Sequence, residues 1–435
     1  MRYTVTIMMR KQYYQVSEEI ENGVFMHLNC MNEAILLLDR KAHTLYENIT
    51  ETPFVSCALD NKIIKSLKEN QFIVDDDYNE KEIVQYGRMK ELNDFSLYHL
   101  IINPTLDCNL SCWYCYEHKY RGSKIADSIV EGIKKHINWK LENEPFSTLK
   151  LSFFGGEPFY DYPPIESIIG FARKLCADNN KILYLDFTTN GTLLTKNIVT
   201  FLSDYSCQFE ITIDGNKQQH NKIKHTSDRS IDTYSMTFKN VRMIQSQVPD
   251  SLIFLRINFD GNTLKDFEDI YEDILRMDKK RTIVILKKIW QVDDKAVSNE
   301  EVVKVARKLQ SAGFKVDYYT QGKLCFAERL NEAVINYDGK VFKCTTVSDF
   351  NSENSYGYLD LESGQIVWNV SKQAKDCNTP TPSNCLKCRM YPMCYGPCPN
   401  QINVGNTECY LDSLNMSRKE YFQYMLSEYM LTNKS

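Results

Sequence analysis

No run of 18 or more apolar residues occurs in the 435-residue chain, so no helical membrane span is expected. The opening MRYTVTIMMRKQYY lacks the apolar core of a secretory signal, and a cytoplasmic location is expected. An excess of basic charge is missing too. The net charge is −5, the opposite of the basic footprint that nucleic-acid binding demands. Internal repeats and low-complexity tracts are absent. What remains is the composition of an ordinary globular chain, long enough for about three domains.

Cysteine is what the chain has in plenty. There are 15, and in a reducing cytosol clustered cysteines more often mean metal or catalysis than disulfides. Three fall within CNLSCWYC (108–115) and eight between Cys325 and Cys409. Cys30, Cys57, Cys176 and Cys207 stand alone in apolar surroundings and are expected to be small buried residues.

The pattern along the chain divides it at about residues 95 and 320. Residues 1–95 read as a small helical module with a β edge: GVFMHLN as a strand, MNEAILLLDRKAHTLYENI as one or two helices, NKIIKSLKENQFIV as a helix and a short strand. FMHLN is its candidate edge strand. The acidic DDDYNEKE (75–82) reads as a solvated linker. From residue 96 to 320, short apolar runs alternate with amphipathic stretches. LYHLIINPT, LKLSFF, KILYLDFTT, CQFEITI, LIFLRINF and TIVILKKI are the strands, with helices between them such as DSIVEGIKKHINWKLEN (127–143). Six strands each followed by a helix predict parallel βα units and a full or partial α/β barrel. NEEVVKVARKLQSAG (299–313) closes this region as a helix, and residues 321–435 are cysteine-rich irregular chain ending in a helix from about Leu411.

In such folds the C-terminal ends of the strands carry the chemistry, and the motifs fall there. Cys108, Cys112 and Cys115 follow the first strand in C-x3-C-x2-C spacing. Three thiolates on one loop fit an iron–sulfur cluster with one iron left open, or a zinc knuckle completed by a distant fourth ligand. Gly155-Gly156-Glu157-Pro158 follows the second strand; it fits a close backbone approach to a ligand or a simple turn. TTNGT (188–192) ends the third strand and ITIDG (211–215) the fourth, where Asp214-Gly215 is also an ordinary turn sequence. RIN (256–258) lies on the fifth.

The cysteine loop, with Tyr114 before its last cysteine, resembles the signature of the radical S-adenosylmethionine (SAM) superfamily. The resemblance implies a partial (β/α)6 TIM-like barrel whose three-cysteine 4Fe–4S cluster binds SAM through its open iron. Reductive cleavage of SAM to a 5′-deoxyadenosyl radical then follows, with an electron donor such as flavodoxin or ferredoxin. It implies SAM contacts at Tyr114, Gly155, Gly156, Glu157, Asn190 and Thr212, with Glu157 taking the amino group.

The C-terminal spacing is the more specific. Cys325 is followed by thirteen residues, Gly339, four residues and Cys344; then come Cys385-x2-Cys388-x5-Cys394-x3-Cys398 and, ten residues on, Cys409. This run resembles the SPASM extension of radical SAM enzymes, which holds two auxiliary 4Fe–4S clusters. Carried over, Cys385, Cys388, Cys394 and Cys409 would hold the distal cluster, and Cys325, Cys344 and Cys398 the near one. The additional cysteine that some relatives carry between the first two is missing. The near cluster then keeps an open iron or takes Cys377. From spacing alone a pair of zinc ribbons is the alternative.

SPASM enzymes mostly modify peptides or proteins. The branch that oxidises sulfatases carries an aspartate directly after the second near-cluster cysteine, where this chain has Thr345-Thr346. The other branch matures ribosomally made peptides by forming thioether, ether or carbon–carbon crosslinks. Many of its members carry an N-terminal winged-helix module that takes the leader of the precursor peptide as an added strand, and residues 1–95 resemble such a module. The expectation is therefore a radical SAM/SPASM oxidoreductase acting on a precursor peptide. No residue stands out as proton acceptor; Glu117 and His118 are near the loop only in sequence.

Overall fold

The computed structural model describes residues 9–49, 61–264, 267–289, 291, 299–318, 324–347, 349–377, 379–409, 411 and 417–432. It divides into two compact units. The first joins residues up to Asn93, the Tyr319–Cys325 stretch and everything from Asp376 on; the second holds Asp94–Tyr318 and Phe326–Lys375.

In the first unit, β1 (Met9–Lys11) pairs antiparallel with β5 (Ile73–Asp75), and β2 (Gln15–Glu21), β3 (Val24–Asn29) and β4 (Ile35–Asp39) form an antiparallel sheet in that order. The positive φ of Gly23 makes the β2–β3 turn. Val24–Asn29 is thus the middle strand, not the edge that was expected, because its neighbours on both sides in sequence fold back onto it. The ILLLD segment is likewise a strand rather than helix. Leu36 and Leu38 pack on the core of Tyr46, Phe72 and Ile73 while Leu37 faces outward, 47% exposed. That alternation is a strand's period of two. Asp39 then caps the helix Arg40–Glu47 by accepting from Ala42 N at 2.7 Å.

The acidic 75–82 run is no solvated linker either. Glu80 opens the helix Glu80–Leu92, is buried, and is held by Arg10 Nη1 at 2.6 Å and Nη2 at 2.7 Å. A bidentate guanidinium is what lets a carboxylate leave water at this position. Tyr14, Val16, Met26, Leu28 and Cys30 share one core with Tyr391, Met393 and Phe422. The terminal helix Arg418–Thr432 supplies Phe422, so the two ends of the chain complete each other.

The second unit is built on an eleven-stranded sheet. Its parallel strands are β6 (Leu97–Asn103), β7 (Thr148–Phe153), β8 (Ile182–Thr189), β9 (Cys207–Ile213), β10 (Ser251–Phe259), β11 (Thr282–Lys288) and β12 (Lys315–Asp317), lying side by side in chain order. Monotonic order with helices between the strands is the arrangement of an unclosed βα barrel. Six of these strands were expected, and β12 adds a seventh. On the far side of β6, β13 (Glu332–Asn336) pairs in parallel and leads into an antiparallel meander of β14 (Lys340–Phe342), β15 (Gly357–Leu359) and β16 (Ile366–Trp368).

Each strand alternates its faces. On β10, Ile253, Leu255 and Ile257 are fully buried while Phe254 and Arg256 face the other way. Phe153, Phe187 and Phe209 stack across β7, β8 and β9 with centroids 5.4 and 5.2 Å apart, fixing the register at the end where the motifs lie. The helix Asp127–Asn143 appears where periodicity placed it, and Asn299–Ser311 likewise. Cys30, Cys176 and Cys207 are buried, as expected; Cys57 lies outside the described residues.

Candidate active site at the strand ends

The loop after β6 is pinned by its own polar residues. Asp107 accepts from Cys108 N at 2.8 Å and from Gly122 N at 2.7 Å, and Thr105 Oγ1 donates to Ser123 O at 2.6 Å. These bonds close a loop carrying Cys108, Cys112 and Cys115 with free thiols, two half-buried and the third exposed. Gly155 and Gly156 run alongside: Gly156 N donates to Thr105 O at 3.1 Å and Glu157 N to Asp107 O at 3.0 Å. A Cβ on Gly155 would stand 2.2 Å from Thr105 O, and one on Gly156 2.3 Å from Asp107 O. The close approach these glycines permit is therefore to the backbone of the cysteine loop itself.

Glu157 is fully buried. It accepts from Thr189 Oγ1 at 2.7 Å, Phe159 N at 3.2 Å and Asn190 N at 2.8 Å, tying β7 to the end of β8. Burial pushes its carboxyl above the ordinary range, and these bonds pull back. Asn190 turns its amide to the cluster loop, donating to Asn109 Oδ1 at 2.9 Å and toward Cys108 Sγ at 3.8 Å. Thr237 and Asn240 hold the Asn190–Gly191 carbonyls at 3.1 and 2.8 Å.

A second, buried network sits beside Tyr114. Its hydroxyl donates to Asp214 Oδ2 at 2.5 Å and accepts from Asn258 Nδ2 at 3.1 Å. Lys224 Nζ donates to Thr212 Oγ1 at 2.5 Å and stands 4.0 Å from Asp214 Oδ2. Arg256 Nε reaches Asn258 Oδ1 at 2.9 Å, and Arg256 Nη1 reaches Glu210 at 2.9 Å. Asp214 and Lys224 are both buried. Burial alone would push the Lys224 ammonium down, but the negative charge shared by Tyr114 and Asp214 outweighs it, with Cys112 and Cys108 adding, and holds it above its usual range. A buried cation thus stands within electrostatic reach of two cluster-loop thiols. Glu117, next to the loop in sequence, is half-buried with Oε1 out of reach of water, and the loss of solvent pushes its carboxyl up to about 7.

Tyr114, Gly155, Gly156, Glu157, Asn190 and Thr212 gather with Cys108, Cys112 and Cys115 at the C-terminal ends of β6 to β9. Sequence reasoning misses Lys224; Asn258, in RIN, reads equally as a ligand contact or an inward-facing barrel residue, and Asp214 equally as a turn. Asp214 carried a signal in ITIDG at a strand end; Lys224, in the charged KQQHNKIK, carried none. A cavity of about 380 Å³ opens beside Cys108, between Asn109, Arg121, Tyr160 and Thr192.

The remaining cysteines fall in both units. Cys385, Cys388, Cys394 and Cys409 lie in the first. Burial pushes the Cys394 thiol up to about 11; a backbone bond from Gly396 opposes this, and Cys388, Cys385 and Cys409 add to the rise. Cys385 feels Cys388 and Cys409 in the same way. The chain therefore brings these four thiols within electrostatic reach of one another. Cys325 and Cys398 also belong to the first unit, and Cys344 to the second. The Cys377 side chain lies outside the described residues.

The thiols of the barrel loop fit a cluster. Leu110 N donates to Cys108 Sγ at 3.4 Å, so one sulfur already faces an N–H donor of the kind that steadies iron-bound thiolate. Comparison with protein families matches residues 102–274 to the radical SAM superfamily. Residues 102–274 are a radical SAM domain. The chain carrying this radical SAM domain is 22% identical to the radical SAM cyclopropyl synthase TigE of Paramaledivibacter caminithermalis, over 88% of this chain and 84% of that one. It is 26% identical to the cysteine-type anaerobic sulfatase-maturating enzyme of Clostridium perfringens, over 42% of this chain and 49% of that protein.

Among solved structures, anSMEcpe with bound AdoMet and Cp18Cys peptide superposes with a TM-score of 0.60 at 19% identity, over 78% of this chain and all of that one. SuiB of Streptococcus suis superposes at 0.50 and 14% identity, over 91% and 96%. These two likenesses speak to the fold. The domain match and the sequence relatives make this a radical SAM enzyme related to peptide-modifying and sulfatase-maturating enzymes. The radical SAM family uses SAM and a 4Fe–4S cluster. Among the described residues no helix is long and apolar enough to cross a membrane.

Proposed function

We propose that this radical SAM enzyme oxidatively crosslinks a ribosomally made precursor peptide, forming a thioether, ether or carbon–carbon bond. The observation that carries the reading is the junction of the cysteine loop, the Gly-Gly-Glu turn and Asn190 at the ends of adjacent parallel strands. Cys108, Cys112 and Cys115 hold the first 4Fe–4S cluster. When bound, that cluster and SAM supply an electron and a 5′-deoxyadenosyl radical, which removes a hydrogen atom from substrate.

The chain's own groups do the rest. Glu157 offers a desolvated carboxylate to the SAM ammonium, and Asn190 and Thr212 offer short polar groups to its carboxylate and ribose. Gly155 and Gly156 keep the turn against the cysteine loop. Asp214 and Asn258 fix the Tyr114 hydroxyl, so its ring holds one orientation beside the cluster. Cys385, Cys388, Cys394 and Cys409 would hold a distal auxiliary cluster, and Cys325, Cys344 and Cys398 a near one, for three in all; these would accept the second electron of the two-hydrogen oxidation, its proton passing to water. Flavodoxin or ferredoxin delivers the electron, in the cytoplasm.

The leader of the precursor binds the first unit. Among the described residues β4 is an edge of the three-stranded sheet, and its outward Leu37 is 47% exposed. The opposite edge, β2, carries Glu18, Glu19 and Glu21, charges of the kind that protect an edge from pairing. An added strand is therefore assigned to β4.

The test is the intact mass of short peptides encoded beside the gene, co-expressed with the protein under low oxygen. Loss of two hydrogens per site, abolished by Cys112→Ala, supports the reading. Unchanged peptides with formylglycine on a co-expressed sulfatase would replace it with sulfatase maturation.

A further inference from the structure

Among the described residues outside the cysteine sites, one cluster of metal-ligating side chains lies in the first unit. His27 sits on β3; His43 and Glu47 sit one turn apart on the helix Arg40–Glu47, hence on one face. One donor atom from each of the three lies within 4.8 Å of one from each of the others. His27 Nε2 is 2.9 Å from His43 Nδ1, and His27 Nδ1 is 3.8 Å from Glu47 Oε1.

Surrounding contacts hold this arrangement in place. Phe25 stacks on the His43 ring at 3.8 Å, and Tyr46 meets the His27 ring edge-on at 4.7 Å. His27 is 1% exposed and burial keeps it neutral; its 2.9 Å contact with His43 is a hydrogen bond whose shared proton a bound cation would replace. Glu47 is exposed, and a cavity of about 510 Å³ borders both His27 and Glu47, giving an ion and its water a way in. The nearest competing cation is Lys11, whose Nζ is 3.0 Å from the other Glu47 oxygen, Oε2.

We propose that His27, His43 and Glu47 bind a divalent transition ion of the zinc class, with water as fourth ligand. Two imidazoles and a carboxylate with one open position are a familiar zinc donor set. Tetrahedral bonds of about 2.0–2.1 Å place two ligand nitrogens ~3.3 Å apart. The imidazoles need part by only ~0.4 Å from their present 2.9 Å. The ion would stitch β3 to the helix that follows β4. Nothing in this inference depends on the radical chemistry.

The experiment uses the full chain with its clusters reconstituted anaerobically, so that iron already occupies the cysteines. Wild type, His43→Ala and Glu47→Gln are dialysed against zinc chloride, then assayed for zinc, iron and sulfide. Wild type should retain one zinc more than His43→Ala at equal iron, and Glu47→Gln should hold that zinc at least tenfold more weakly. Zinc-edge X-ray absorption should show nitrogen and oxygen neighbours without sulfur. Equal zinc in wild type and His43→Ala overturns the proposal, and so does a sulfur shell. Circular dichroism checks folding; if His43→Ala fails it, the half-exposed Glu47→Gln position decides, with unchanged zinc affinity counting against the site.

Discussion

At Asp214 a carboxylate fully removed from water faces a lysine that is itself buried, and neither could remain charged without the other. Asp214→Ala would strand the Lys224 ammonium and should destabilise the barrel by about 3–5 kcal/mol. The urea midpoint of the folded protein measures it, and a shift near zero would mean that Lys224 finds its counter-charge elsewhere. Gly156→Ala places a Cβ against Asp107 O at 2.3 Å. This variant should lose about four irons per chain, the content of one cluster, while the peptide circular dichroism stays near wild type.

Glu332 gives a pH prediction. Burial raises its carboxyl to about 8 from an ordinary 4.5, with Lys343 Nζ at 3.2 Å pulling the other way. The folded chain therefore binds this proton more tightly than the unfolded one. The stability it contributes is complete below pH 4.5 and is lost as pH rises toward 8. Relative to wild type, Glu332→Gln should gain stability between about pH 5 and pH 8. Lys343 stays bonded to the Arg329 and Glu332 carbonyls in that variant. Parallel melting curves across that range would contradict the assignment. Among site residues, those in glycine turns or cysteine spacings could be read in advance. Lys224 could not, because a lysine in a charged helix looks the same whether it faces water or a core.

Elements were easiest to read where periodicity was unambiguous. The six expected strands of the barrel lie within a residue or two of the apolar runs that announced them, since buried parallel strands are continuous apolar segments. ILLLD failed because four apolar residues in a row fit a helix turn and a strand equally, and only pairing with β3 decides. Helix and sheet meet closely at Gly132, where an added Cβ would stand 2.7 Å from a Leu361 methyl. Around it, His136 Nδ1 bonds Gly364 O at 2.7 Å and Lys135 Nζ bonds Leu361 O at 2.9 Å. Gly132→Phe would drive the helix Asp127–Asn143 off the β15–β16 turn, at a cost of about 1–3 kcal/mol by thermal melting. Gly132→Ala should be tolerated, because a leucine methyl can swing away.

On the scale of the whole molecule, the edge of the barrel at β6 is covered by a strand from beyond residue 326. Ile101 and Leu106 pack with Val334, Phe342 and Phe350 there. A fragment from Asp94 to Tyr318 should expose that edge and aggregate in size-exclusion chromatography, while one from Asp94 to Lys375, the whole of the second unit, should elute as a compact species. Equal behaviour would show that β13 is dispensable. No local pattern could have foretold this pairing, or the joining of the two termini, because contacts across hundreds of residues leave no periodicity behind.

That joining has a consequence for synthesis. About 280 residues separate Asn93 from Asp376, roughly 15 to 60 s on a ribosome adding about 5–20 residues per second. Through that interval Met26 and Leu28 wait without Tyr391, Met393 and Phe422. A nascent chain halted early would present an unfinished apolar face to the quality-control machinery, so the first unit is completed only in chains that also carry the Cys385–Cys409 run.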